Sequence, residues 1–297
     1  MNLYATLTEL KAGMPDGVQA ATTKYDAQLL RLANQGSRLA DAYCGRFFYP
    51  RLGTRYFHGN GRTILPIDDL LTLTSVAYST DGGATYTTLD IGVDVHATHW
   101  DDHNDVGSYT SLFLDPNGDL SAWPDEDKGR RTVKVVGEWA FAEDRATAWE
   151  STGITPSLQL GTGGGTLSIA TGALDTLDIW KMAAAIHVGR LLKIESEIVE
   201  VVATTDGGTG ADTAAVLRGR NGSVDAAHGT GADISIWRPP ANVVQAVIIT
   251  SNRSMERGFQ GFGDSRANAE VGSMFYLRAL DPEAKALLDP YRIVQVG

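Results

Sequence analysis

Residues 26–50, DAQLLRLANQGSRLADAYCGRFFYP, constrain the fold more than any other stretch of this chain. Apolar or small residues recur at Leu29, Leu32, Ala33, Gly36, Leu39, Ala40 and Tyr43. Steps of three and four put them on one face of an α-helix, with Gln28, Arg31, Gln35, Arg38 and Asp41 opposite. Gly45 stands where a C-terminal cap belongs, and Pro50 forbids the helix from resuming after Phe47, Phe48 and Tyr49. A helix of this length cannot stand alone in water, so another element must cover its apolar face.

The candidates for that cover lie at the two ends of the chain. Thr6 and Glu9 form a capping box that opens a short helix. Near the other end, Pro239 and Pro240 precede an apolar helical run through Val243, Val244, Ala246, Val247, Ile248 and Ser251. Asp281 and Pro282 then start a last helix that Pro290 stops.

Between them the period changes to two. Residues 55–58 and 63–66 flank Gly59-Asn60-Gly61 and read as a hairpin. Strands follow at 71–79, 86–95, 109–114 and 132–141, the last with Val133, Val135, Gly137, Trp139 and Phe141 on one face. Residues 142–237 read as a separate β module with strands at 191–194, 198–202, 215–218 and 234–237, and a short helix at 180–186. The expected fold is therefore α+β. A small helical bundle forms from the N- and C-terminal helices, with β excursions (1–141 and 238–297) and an inserted small β domain (142–237).

Charge and cysteine content exclude several function classes. The net charge of −11 opposes wrapping nucleic acid by phosphate neutralisation. Cys44, the one cysteine, permits no internal disulfide and no multi-cysteine zinc site, and reads as a small buried hydrophobe. No signal peptide or membrane span is visible.

Chemistry-bearing motifs are sparse. His96, His99 and His103, with Asp101, Asp102 and Asp105 among them, could ligate a metal in a hydrolase, but the segment reads as strand end and loop, which does not bring those spacings onto one face. The 161–166 glycine run lacks the Gly-Lys-Ser/Thr ending of a phosphate loop. Asp115-Pro116-Asn117-Gly118-Asp119 lacks the distal Glu of a calcium loop. His228 reads as packing or hydrogen bonding locally. No feature carries catalysis, so the chain is expected to be no enzyme and to need no cofactor.

The order of several segments carries a resemblance. These are YATLTELK at 4–11, AYCGRFFYP at 42–50, TRYFHGNG at 54–61, the Leu-Thr-Ser-Val core of 70–77, and Trp123-Pro124. They continue with PPANVV at 239–244, Leu280-Asp281-Pro282 and LLDPYR at 287–292. This set resembles the head–tail connector (adaptor) proteins of long-tailed bacteriophages, over most of 1–141 and 238–297. The stretch 191–202 with LRGRNGS at 217–223 and AAHGTGA at 226–232 is similar to a small β module recurrent in phage structural proteins.

The resemblance implies a virion protein of the neck, assembled in the host cytoplasm. It would form a homo-oligomeric, dodecameric ring bound to the portal. That ring would extend the channel for double-stranded DNA without binding it specifically, and offer a docking surface to a stopper or tail protein. It further implies portal docking through Tyr291, Arg292, Ile293, Val294 and Val296. The polar face of the long helix, at Arg31, Gln35 and Arg38, becomes the candidate for subunit or channel contacts. Alternatives are a stopper or tail-terminator of the same neck, against which the helical framing counts. From other classes stand a metal-dependent hydrolase and a glycan-binding insert.

Overall fold

A computed structural model describes residues 1–14, 23–99, 106–125, 131–178, 184–259, 265–267, 274–276 and 280–293. Its helices begin and end where local chemistry dictates. Helix α1 (Leu7–Ala12) starts at Thr6, whose hydroxyl accepts from Glu9 N–H while the Glu9 carboxylate accepts from Thr6 N–H. Helix α2 (Asp26–Cys44) ends at Gly45, which takes the left-handed conformation at φ 69° and donates to the Asp41 carbonyl. Helix α3 spans Ala241–Phe259. Helix α4 (Pro282–Leu288) has Pro282 in its first turn and Asp281 as N-cap, accepting from Glu283 N–H at 2.8 Å.

The strands outweigh these helices and overturn the expectation of an α+β helical bundle with β excursions. Two antiparallel sheets of six strands each carry most of the regular structure, with four α-helices among the described residues. The reason lies in where apolar area is buried. Each sheet has its own core, so neither is an appendage of the helices. In the first, Leu65, Leu70, Val76, Leu89, Val95, Leu112, Leu114, Trp123, Val133, Val135 and Trp139 are buried together. In the second, Leu167, Ile169, Leu192, Ile194, Val199, Val201, Val216, Ile234 and Ile236 form the equivalent cluster. Full burial of one such side chain stabilises by about 1.5–3 kcal/mol.

The chain divides into two compact units. One comprises Phe47–Trp149 with Asn221–Ser223. Its sheet contains β1 (Arg51–Phe57), β2 (Ile64–Tyr78), β3 (Thr87–Leu89), β4 (Val95–Thr98), β5 (Tyr109–Leu114) and β6 (Val133–Trp139), in the order β1-β6-β2-β5-β4 with β3 also on β2. Strands β1 and β2 are not a hairpin, because β6 lies between them and pairs with both. The Gly59–Gly61 turn instead crosses the end of β6. Gly59 N–H donates to Thr132 Oγ1, Gly61 N–H donates to the Trp123 carbonyl, and a side chain at 59 would collide with the Pro124 backbone.

The other unit comprises Met1–Arg46, Glu150–Arg220 and Val224–Gly297, and groups the terminal helices with the second sheet. That sheet is formed by β7 (Trp149–Ser151), β8 (Thr166–Ile169), β9 (Leu191–Ile194), β10 (Glu197–Thr205), β11 (Asp212–Leu217) and β12 (Ile234–Trp237), in the order β7-β12-β9-β10-β11-β8. Leu3 is buried and packs at Gly189, whose φ of 90° suits glycine. Gly36 lets α2 and α3 approach closely, since a Cβ there would stand 3.1 Å from Ser251 Oγ and 3.3 Å from Val247 Cγ1. The helices thus cover α2 as its periodicity requires. A short pair, β13 (Ser265–Ala267) with β14 (Met274–Tyr276), completes the strands. The helix expected at 180–186 falls largely outside the described residues, and Ala184 itself sits in a β-bridge with Leu177.

Candidate functional site

Three regions concentrate the side chains of interest. The first is the C-terminal segment. Tyr291 is buried, in a 3₁₀ turn (Asp289–Tyr291) that continues α4. Arg292 lies over the Tyr43 ring at 5.0 Å, and the Tyr43 hydroxyl donates to Asp289. Ile293 is 47% exposed, and its N–H donates to the Cys44 carbonyl at 2.9 Å. This bond takes up one of the last carbonyls of α2, which have no partner within the helix. Val294 and Val296 lie outside the described residues. Burial pushes the Cys44 thiol up to about 11, and Sγ stands 3.6 Å from the Leu288 carbonyl.

The second region is the polar face of α2. Arg31 and Gln35 are exposed. Arg38 is held by contacts within the chain. It donates to the Asn2 carbonyl at 3.0 Å, pairs with Asp41 at 3.1 Å and lies over the Tyr4 ring. Tyr4 in turn donates its hydroxyl to Asp41 and its N–H to Ser37 Oγ.

The third is a buried ionic network at one end of the second sheet. Glu197 opens β10 and is fully buried. Its carboxylate accepts a bidentate pair from Arg218 at 2.8 and 2.7 Å, and the backbone N–H groups of Gly219 and Ala226 at 2.8 and 3.1 Å. His228 Nε2 stands 2.8 Å from the same carboxylate, and Nδ1 stands 2.8 Å from Glu195. Arg218 also donates to the carbonyls of Gly161, Gly164 and Ala226 and pairs with Asp225 at 2.9 Å. Burial alone would raise the Glu197 pKa. The hydrogen bonds from Arg218, Gly219, Ala226 and His228 outweigh it and bring the carboxyl down to about 2. Such a network is a clamp. It ties the 161–165 loop and the 218–228 loop to the β9–β10 turn, where Glu195 takes a left-handed φ of 54°. His228 is buried, and its ring contacts to Glu195 and Glu197 span 33 and 31 residues of sequence. Glu197 and Arg218 were the missed members. Their one sequence signal is an acid and a base, each beside a strand end.

The histidine-rich segment is only partly described. His96 lies on β4 with Nε2 at 3.3 Å from Asp115, His99 follows that strand, and His103 lies outside the described residues. Among the described residues, no group of three or more His, Cys, Asp or Glu is placed to hold a metal ion. No helix among the described residues is long and apolar enough to cross a membrane. Comparison with protein-family models, curated proteins and solved structures returns no match.

Proposed function

We propose that this chain is a structural subunit of a long-tailed phage neck. It acts as an adaptor that assembles as a dodecameric ring between portal and tail and extends the DNA channel. The observation that carries this reading is the placement of the C-terminal segment. Tyr291 is anchored among the helices, Arg292 and Ile293 are exposed, and the Ile293 N–H is fixed to the Cys44 carbonyl at the end of α2. Exposed Arg292 and Ile293 beside an anchored Tyr291 suit docking onto a portal. The ordered segments that resemble adaptors support the reading, as does the net charge of −11, which suits a conduit that must not retain DNA.

A stopper or tail-terminator of the same neck is the second reading. The two six-stranded sheets favour it, because the helical framing that counted against it is a minor part of the fold. The test is size-exclusion chromatography with light scattering on the chain mixed with purified portal. The adaptor reading expects comigration at one copy per portal subunit, weakened at least tenfold by Ile293→Asp. Comigration that requires a preformed portal–adaptor complex supports the stopper reading. Absence of any complex at micromolar concentrations overturns both.

A further inference from the structure

The first sheet exposes a cationic, aromatic face that nothing above uses. By register, Tyr56 on β1 lies opposite Lys134 on β6, which lies opposite Ala77 on β2, so the three share one side of the sheet. Thr54, Val136 and Ser75 continue that side. Arg131 places its guanidinium 3.7 Å from the Tyr56 ring centre, and Lys134 places its ammonium 5.7 Å from the Tyr86 ring centre. The two tyrosine rings are 6.1 Å apart, and the Tyr86 hydroxyl donates to the Arg131 carbonyl. Tyr56 is 39% exposed and Arg131 is exposed.

Acidic residues outnumber basic ones by 36 to 25, yet neither Arg131 nor Lys134 pairs with a carboxylate among the described residues. Both cations are instead held over aromatic rings. Glu138, on the same side, is buried and accepts from Trp149 Nε1 at 2.7 Å. With the Tyr56 ring stacked under a guanidinium, the face does not offer open rings for nucleobases. It offers the N–H groups of an oriented guanidinium, the geometry that recognises carboxylates.

We propose that this face binds an acidic surface of a second copy of the chain, in a head-to-tail contact. The proposal rests on the ring reading above and deepens it by naming a subunit contact. Charge complementarity carries the choice of occupant, because a chain with a surplus of carboxylates supplies the partner surface itself. A contact between a basic face and a different, acidic one is heterologous, and contacts of that kind close rings. Identical chains of net charge −11 repel one another, and a local cationic patch offsets that repulsion at the contact.

The test is sedimentation velocity of the full chain, alone and with purified portal, at 0.1 M and 1 M salt, where the Debye length falls from about 10 Å to about 3 Å. Wild type is compared with Arg131→Glu/Lys134→Glu and with the milder Arg131→Gln/Lys134→Gln, and circular dichroism and thermal melting verify that each variant is folded. We expect the charge reversal to weaken self-association at least tenfold, the neutral pair to weaken it less, and high salt to weaken wild type but not the reversed variant. Folded variants that assemble like wild type overturn this proposal and leave the ring reading standing. A wild type that associates neither alone nor on portal overturns both. Tight binding of a fluorescent oligothymidine by wild type, lost in the reversed variant, overturns it by assigning the face to nucleic acid.

Discussion

His187 gives the sharpest stability prediction. Its ring is buried in the unit that carries the second sheet, just before β9. Nδ1 stands 3.0 Å from the Val188 carbonyl, and Nε2 has no hydrogen-bond partner among the described residues. That geometry fits the neutral tautomer with its proton on Nδ1. Burial, and then the nearby Arg190 charge, push the imidazole pKa from 6.5 down to about 3. The sign follows from linkage. The unfolded chain takes up a proton near pH 6.5 and the folded chain does not, so stability is full above pH 6.5 and is lost as pH falls from 6.5 towards 3. At pH 5 the loss is about 2 kcal/mol, growing to at most about 5 kcal/mol at the bottom of the window. His187→Asn keeps a donor near the Val188 carbonyl and removes the titration. Urea unfolding at pH 7 and pH 5 reads the effect. With an m-value of about 2 kcal/mol/M, the wild-type midpoint should drop about 1 M more than the variant's. Other groups, such as Glu197 at about 2, titrate alike in both proteins and cancel. Parallel midpoints across the two pH values would refute the reasoning.

Three further outcomes follow from the packing. Gly36→Leu forces side-chain atoms into Val247 and Ser251 and should destabilise the helical layer by about 1–3 kcal/mol in thermal melts. Arg218→Met strips the buried Glu197 of its bidentate partner and should cost about 3–5 kcal/mol, whereas Asp225→Asn at the partly exposed edge should cost under about 1 kcal/mol in the same assay. Cys44, buried with its thiol raised to about 11, should resist an aromatic disulfide reagent at pH 8 in the native protein and react fully in denaturant.

Sequence was a good guide wherever short-range chemistry decides the outcome. Thr6 with Glu9, Gly45, and Asp281 with Pro282 mark helix boundaries because caps satisfy groups within a turn. Strands β5, β9 and β12 stand where period-two runs lie. Legibility failed where partners are distant. The Gly59-Asn60-Gly61 turn has hairpin composition, yet the long-range pairing of β6 with both β1 and β2 overrides it. The bundle expectation failed for a related reason. Helical stripes of period 3.6 stand out over nineteen residues, whereas most of the strands are short, carry a weak signal each and reveal their combined weight only once paired. The Glu197, Arg218 and His228 clamp was hidden likewise, because two strand-end residues and one loop residue meet only in the folded sheet.

The claim that this chain is a ring-forming neck subunit is tested most directly by negative-stain imaging of the protein with purified portal. The account predicts a closed ring, coaxial with the portal and lengthening its channel on the tail side. Portal particles unchanged in length, with no ring of the chain alone or bound, would contradict it.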